Sequence, residues 1–213
     1  MDIIWEISVP VRSQFATLMP SWEHVTTVKC RVCGRSISED VDRLTAWWEE
    51  GRHCVGDFTF AIGHLIATRM VCDELRERFR GFRACPVDVR GALIRDTTPT
   101  DSLPSEAMPD LCWLKVTAEA PLLPQSTVVV DYSCPACDFV QYRQFIGIET
   151  KNSRRHVART PGKGFFFSRD ALGDSDIFRP RFTGFELCTQ RVKDYVEKRG
   201  FSNIEFLNVG ELV

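Results

Sequence analysis

The sequence predicts an α+β fold made of two similar strand–helix–strand units within one domain of 213 residues. Three observations carry that expectation. Short β-rich runs alternate with amphipathic helical segments, the order of motifs around two of those helices occurs twice, and each occurrence is headed by a Cys-x-x-Cys pair.

Residues 3–9, Ile-Ile-Trp-Glu-Ile-Ser-Val, are rich in β-formers and end before Pro10. Val25-Thr26-Thr27-Val28 is a second extended run, leading into Cys30. Ser38-Glu39-Asp40 offers a helix cap, and Leu44, Trp47 and Trp48 lie three and four apart, which predicts a short helix ended by Gly51. His64-Leu65-Ile66-Ala67 reads as a strand. Thr68 then caps a helix with Val71, Cys72, Leu75 and Phe79 on its apolar face, stopped by Gly81, and Pro86-Val87-Asp88-Val89 is the strand beyond.

Residues 97–110 hold Pro99, Pro104 and Pro109 among polar residues and read as a connecting loop. Further strands are expected at 111–116, 127–130 and 139–146, the last two flanking the second cysteine pair. The polar, basic stretch 150–164 is expected to be an exposed loop. Gly164-Phe165-Phe166-Phe167 and Phe185-Glu186-Leu187-Cys188 are strands, Thr189 caps a helix through Val192, Tyr195 and Val196 that stops at Gly200, and Ile204-Glu205-Phe206-Leu207 closes the chain.

The internal repeat follows from these assignments. With Thr68 set against Thr189, Val71, Asp73 and Leu75 fall opposite Val192, Asp194 and Val196, and Gly81-Phe82 matches Gly200-Phe201 after a gap. The expected halves are about 1–96 and 111–213, joined by the Pro-rich loop 97–110 and related by a pseudo-twofold on which the cysteine turns meet.

A hydrophobic content of 44% and a charged content of 26% are those of a soluble globular protein, and a net charge of −2 argues against a protein built to grip nucleic acid. No apolar run approaches the ~20 residues that span a bilayer. The N-terminus shows no basic region followed by an apolar core, so a cytoplasmic location without membrane attachment is expected. Charge is uneven: residues 134–169 carry seven basic and two acidic residues, whereas 36–57 carry two basic and six acidic, and 96–119 one basic and five acidic. Acidic faces suit a cationic protein partner.

Nine cysteines, an odd number, fit a reducing compartment. Cys54, Cys72, Cys85, Cys112 and Cys188 stand among apolar neighbours and read as buried small hydrophobes. Cys30-x-x-Cys33 and Cys134-x-x-Cys137 differ. Each lets two thiolates of one tight turn bind the same ion, and the four together fill the tetrahedral shell of a structural Zn2+, in a setting like a zinc ribbon. A redox dithiol would sit between a strand and the start of a helix, and here each pair is flanked by β-like runs. Iron–sulfur chemistry shares the ligand set. His24, His53, His64 and His156 form no metal spacing, and His64 reads as a core residue. Gly162-Lys163-Gly164 lacks a strand–loop–helix setting for phosphate. No catalytic motif stands out, so the expectation is a binding protein and not an enzyme.

The two CxxC pairs, about a hundred residues apart, resemble the double-CXXCG motif family of myxobacteria. The ending, Asp176-Ile177-Phe178, Phe185-Glu186-Leu187, Arg191-Val192, Gly200-Phe201 and Ile204-Glu205-Phe206, is similar to that family's closing strand–helix–strand. The likeness runs from about residue 25 to the end. Two positions depart from it: Asp138 stands where the motif has glycine, and no proline follows Cys30. Members are regarded as immunity proteins for swarming-inhibition lipoprotein toxins. The resemblance therefore implies a structural zinc on Cys30, Cys33, Cys134 and Cys137, and a cognate protein toxin as partner. Two alternatives are a zinc-ribbon nucleic-acid-binding protein, stacking bases on Tyr142, Phe145 and Phe165, and a thiol redox protein.

Overall fold

The computed structural model describes residues 2–12, 14–21, 27–38, 41–49, 54–93, 99–100, 109–148 and 159–213. In chain order the strands and helices are β1 (Asp2–Ser8), β2 (Thr17–Ser21), β3 (Thr27–Lys29), β4 (Ser36–Ser38), β5 (Leu44–Glu49), β6 (Phe58–Ala61), β7 (His64–Thr68), α1 (Arg69–Arg78), β8 (Phe82–Leu93), β9 (Pro99–Thr100), β10 (Leu111–Val116), β11 (Glu119–Ala120), β12 (Val128–Ser133), β13 (Val140–Phe145), β14 (Phe165–Phe167), α2 (Arg169–Leu172), β15 (Ile177–Pro180), β16 (Leu187–Thr189), α3 (Gln190–Arg199) and β17 (Glu205–Leu212).

Strand far outweighs helix, and the helices among the described residues span only 10, 4 and 10 residues. The fold is mostly β, which overturns the α+β expectation. The clearest single reversal is at 44–49. Leu44, Trp47 and Trp48 have helical spacing, yet Leu44, Ala46 and Trp48 are the buried residues, alternating with half-exposed ones. A period of two with a β-branched residue and two aromatics makes a strand, and the tertiary partner decides the ambiguity. Glu39, Asp40 and Gly51, expected to bound a helix here, lie outside the described residues. So do Val25 and Thr26, residues 94–98 and 101–108 of the Pro-rich region, and residues 149–158 of the basic stretch. Pro99–Thr100, expected in a loop, pairs with β8 as β9.

Two barrel-like sheets organise these strands. The first runs β10-β7-β6-β2-β5-β8, and β8 also pairs with β10, so the six strands close on themselves. The second runs β11-β15-β16-β1-β17-β14, and the Leu123 N–H donates to the Phe166 carbonyl at 2.9 Å to bridge its two ends.

The sheets repeat one another in register. Phe58 and Thr59 of β6 face Ala67 and Ile66 of β7; Ile177 and Phe178 of β15 face Cys188 and Leu187 of β16. In parallel pairs, Thr17 and Leu18 face Phe60 and Ala61, as Glu119 and Ala120 face Arg179 and Pro180. Each sheet then inserts one antiparallel strand between the two strands that flank its helix. That strand is β10 between β7 and β8, and β1 between β16 and β17. Leu111 pairs with Thr68 and Ile4 with Thr189, each the N-cap of the following helix.

The inserted strands are exchanged. β1 opens the chain but lies in the second barrel, and β10 follows the first barrel's other strands but precedes every other strand of the second, β1 apart. Asp57 and Asp176 strengthen the crossing. The Asp57 carboxylate accepts from the Ser202 N–H and hydroxyl, just past α3, at 2.8 and 2.9 Å, and the Asp176 carboxylate accepts from the Arg80 N–H, just past α1, at 3.2 Å.

Three apolar clusters result. Leu18, Leu44, Trp48, Ile66 and Leu111 are among those that fill the first barrel, and Ile4, Phe165, Phe167, Phe178 and Leu187 the second. Between the barrels, Val71 and Leu75 of α1 meet Val192 and Val196 of α3 over Phe58 and Ile177. Each such side chain contributes about 1.5–3 kcal/mol when fully buried. At the rim of this middle layer, Arg199 grips Glu74 through two hydrogen bonds of 2.9 and 2.7 Å.

Strand exchange predicts that fragments 1–100 and 109–213 are each unfolded when made alone and form a one-to-one folded complex when mixed, as read by circular dichroism and gel filtration. A folded, monomeric fragment would contradict it. A pH dependence is also expected. Burial pushes the Glu186 carboxyl up to about 8, with Glu6 adding to the rise, and burial pushes Glu6 up to about 7. Unfolded, both ionise near 4.3. Their protonated forms therefore favour the folded state fully below about pH 4, and that contribution is lost as pH rises through 7–8. Glu186→Gln should narrow the fall in urea midpoint between pH 4.5 and 8.5; an unchanged fall would refute this origin.

Candidate metal centre

Both cysteine pairs sit at the tips of hairpins inserted at equivalent places, β3–β4 between β2 and β5, and β12–β13 between β11 and β14. Lys29 pairs with Ser36 just before the first turn and Ser133 with Val140 just before the second. The Cys30 N–H donates to the Arg35 carbonyl at 2.9 Å, and the Cys134 N–H to the Phe139 carbonyl at 2.8 Å. These bonds fold each turn back so that both of its sulfurs face the same way.

Completing such a turn requires a left-handed residue. Gly34 supplies it at φ 72° and Asp138 at φ 54°. The departure from glycine in the second motif therefore leaves the turn intact, because aspartate is among the few side chains that tolerate this region.

The turns converge. The sulfurs of Cys30, Cys33, Cys134 and Cys137 all lie within 4.8 Å of one another. The equivalent pairs stand 3.9 Å (Cys30–Cys134) and 3.8 Å (Cys33–Cys137) apart. A tetrahedron with metal–sulfur bonds of about 2.3 Å has edges of about 3.8 Å. A disulfide would need about 2.05 Å. The spacing thus fits four thiolates around one ion, and the residues present can hold a metal.

Backbone dipoles favour the thiolate form of the leading cysteine of each turn. The N–H groups of Cys33 and Val32 point at the Cys30 sulfur and hold its pKa below the ordinary thiol value. Burial opposes ionisation of Cys134, yet the N–H groups of Ala136 and Cys137 outweigh it and bring that thiol down to about 6. The other two ligands shift the opposite way. The backbone N–H groups of Arg35 and Phe139 favour their thiolates, but burial and the neighbouring sulfurs outweigh this, raising Cys33 and pushing Cys137 up to about 12. A metal must therefore displace those protons on binding.

Other sequence candidates fall elsewhere. Cys72, Cys85, Cys112 and Cys188 are buried as expected, whereas Cys54 is exposed. His64 is mostly buried, edge-on to Trp113 at 4.9 Å, and burial lowers its pKa to about 4. His24, His53 and His156 lie outside the described residues. Phe165 is 0% exposed, so it is not open to stack a base, and Phe145 packs edge-to-face on it at 5.5 Å. Of the three residues named for base stacking, Tyr142 and Phe145 are half-exposed.

Sequence reasoning missed Arg35. Its guanidinium lies over Phe139 at 4.2 Å and over Phe182 at 5.4 Å, joining the first turn to the second and to the β15–β16 connection. The only sequence signal was its place, one residue past the CxxCG glycine.

No family model matches the chain, and no curated protein matches it. The purified protein should carry one metal equivalent per chain, and Cys30→Ser and Cys134→Ser should each lose it along with thermal stability. Full retention by either variant in metal analysis would show that the turns do not share an ion.

Proposed function

We propose that the protein binds and neutralises a cognate protein toxin of the swarming-inhibition kind, with one structural Zn2+ as part of its fold. The observation that carries the metal reading is the sulfur spacing: two pairs at tetrahedral edge length and all four sulfurs within 4.8 Å of one another suit a four-thiolate shell, which leaves no position for water or substrate. Soft thiolate donors in a four-sulfur set favour zinc over oxygen-seeking ions. An ion so enclosed acts through structure, by tying together hairpins of the two repeats.

The toxin-binding reading is supported by the resemblance of the CxxC pairs and of the closing segment Asp176–Phe206 to the double-CXXCG immunity proteins. Neutralisation of this kind needs a complementary surface and no chemistry of its own. It also accounts for a fold that devotes its most reactive side chains to holding itself together.

Co-expression with a candidate swarming-inhibition toxin tests the proposal. The expected result is a stoichiometric complex and rescue of growth. Survival should fall when Cys134→Ser removes the metal, because the binding surface loses its support. An isolated toxin that neither binds the protein nor is blocked by it would sink the reading.

A further inference from the structure

Beside the metal centre lies an open cleft of about 450 Å3, walled by Arg35, Glu119, Cys137, Arg179, Phe182 and Thr183. Two arginines face one glutamate there, and Arg181, stacked on the outside of Phe182 at 4.9 Å, adds a third positive charge. Three features of the cleft bear on what it could receive.

The first is Arg35. Its guanidinium stacks on two phenyl faces, and stacking occupies the faces of that planar group while its N–H donors lie in the plane. Among the described residues none accepts a hydrogen bond from it. The second is Arg179. Its Nη2 donates to the Val116 carbonyl, but its buried Nε has no hydrogen-bond partner among the described residues, and the Glu119 carboxylate at 3.8 Å is too far to serve.

The third is Phe182, whose φ of 61° is left-handed. Counted from the equivalent residues Ala61 and Pro180, the same place in the first repeat is Gly63, at φ 73°. The turn there favours glycine, and the second repeat instead carries a bulky ring against its conformational preference. Hydrogen bonds of Thr183 to the Pro180 carbonyl (3.0 Å) and from the Phe185 N–H (3.4 Å) hold the ring in place.

We infer that this cleft receives a carboxylate from an acidic segment of the protein partner. Arg35 presents its fork edge-on, Arg179 donates through Nε, and Phe182 packs the apolar stem of the bound side chain. The assignment rests on the partner-binding reading above for the source of the carboxylate, while the cleft's chemistry stands on its own residues.

The test uses the metal-loaded protein and a capped tripeptide of glutamate and aspartate, titrated by NMR on the arginine Nε–H signals, with the glutamine–asparagine tripeptide and inorganic phosphate as controls. Saturable shifts of Arg35 and Arg179 with the acidic peptide are expected, weaker by about tenfold in Arg35→Gln and in Arg179→Gln, each of which removes a charge-assisted hydrogen bond. Equal binding of the amide peptide or of phosphate overturns the assignment, as does no binding. It is also overturned if Arg35→Gln loses metal while Arg179→Gln changes nothing, since the arginine would then serve the thiolates. If the peptide binds but the toxin does not, the cleft stands and the immunity reading falls. If the double variant neutralises toxin as well as the parent does, the reverse holds.

Discussion

Each barrel closes on a strand that the other half of the chain supplies. Ile4 to Glu6 lie hydrogen-bonded between β16 and β17, while Cys112 and Trp113 lie between β7 and β8. Once β1 and β10 are exchanged, the outward faces of the two barrels must meet, and α1 and α3 are trapped between them. The Asp57 and Asp176 carboxylates then cap corners that belong to the opposite repeat. The hairpins, inserted at equivalent points, bring their tips together.

That geometry explains why a cluster separated by 104 residues in sequence can act as one site. Gathering two distant pairs from an unfolded chain would cost loop-closure entropy that grows with the logarithm of the loop. Here the closed barrels shorten the loop that remains, and the four sulfurs lie within 4.8 Å of one another. Metal binding energy is then available to stabilise the assembled form. The ion and the strand exchange hold the same two repeats together from different sides.

The legible parts of the sequence were those whose chemistry or local geometry is self-sufficient. CxxC spacing fixes two sulfurs on one turn whatever surrounds it. Apolar residues at helical period fix α1 and α3, and the Thr68 hydroxyl accepts from the Val71 N–H to cap α1, whereas Thr189 holds the N-cap position of α3 without a side-chain cap bond. Strand partnership was not legible. Nothing in Asp2–Ser8 marks it as a strand of the distant barrel, since β pairing depends on non-local neighbours. The two-residue β11 is too short to leave a pattern, and 44–49 satisfied a helical and a strand reading together. Expecting helices to dominate their units followed from that blindness. Two ten-residue helices look prominent in sequence, while the short strands that outnumber them do not.

The repeat also separates what the fold requires from what it does not. Where two positions are equivalent and carry the same kind of residue, structure accounts for both: Ile4 with Leu111, Ile66 with Leu187, Leu75 with Val196. Where equivalent positions differ in chemistry, the scaffold has tolerated both and cannot be the reason for either. Arg179 stands opposite Phe60, Glu119 opposite Thr17, Arg35 opposite Phe139 and Phe182 opposite Gly63. Arg179, Glu119, Arg35 and Phe182, scattered over 148 positions of sequence, wall the same cleft. Neither barrel closure nor metal ligation needs that concentration of asymmetry, and the one-sided carboxylate site proposed for the cleft makes use of it.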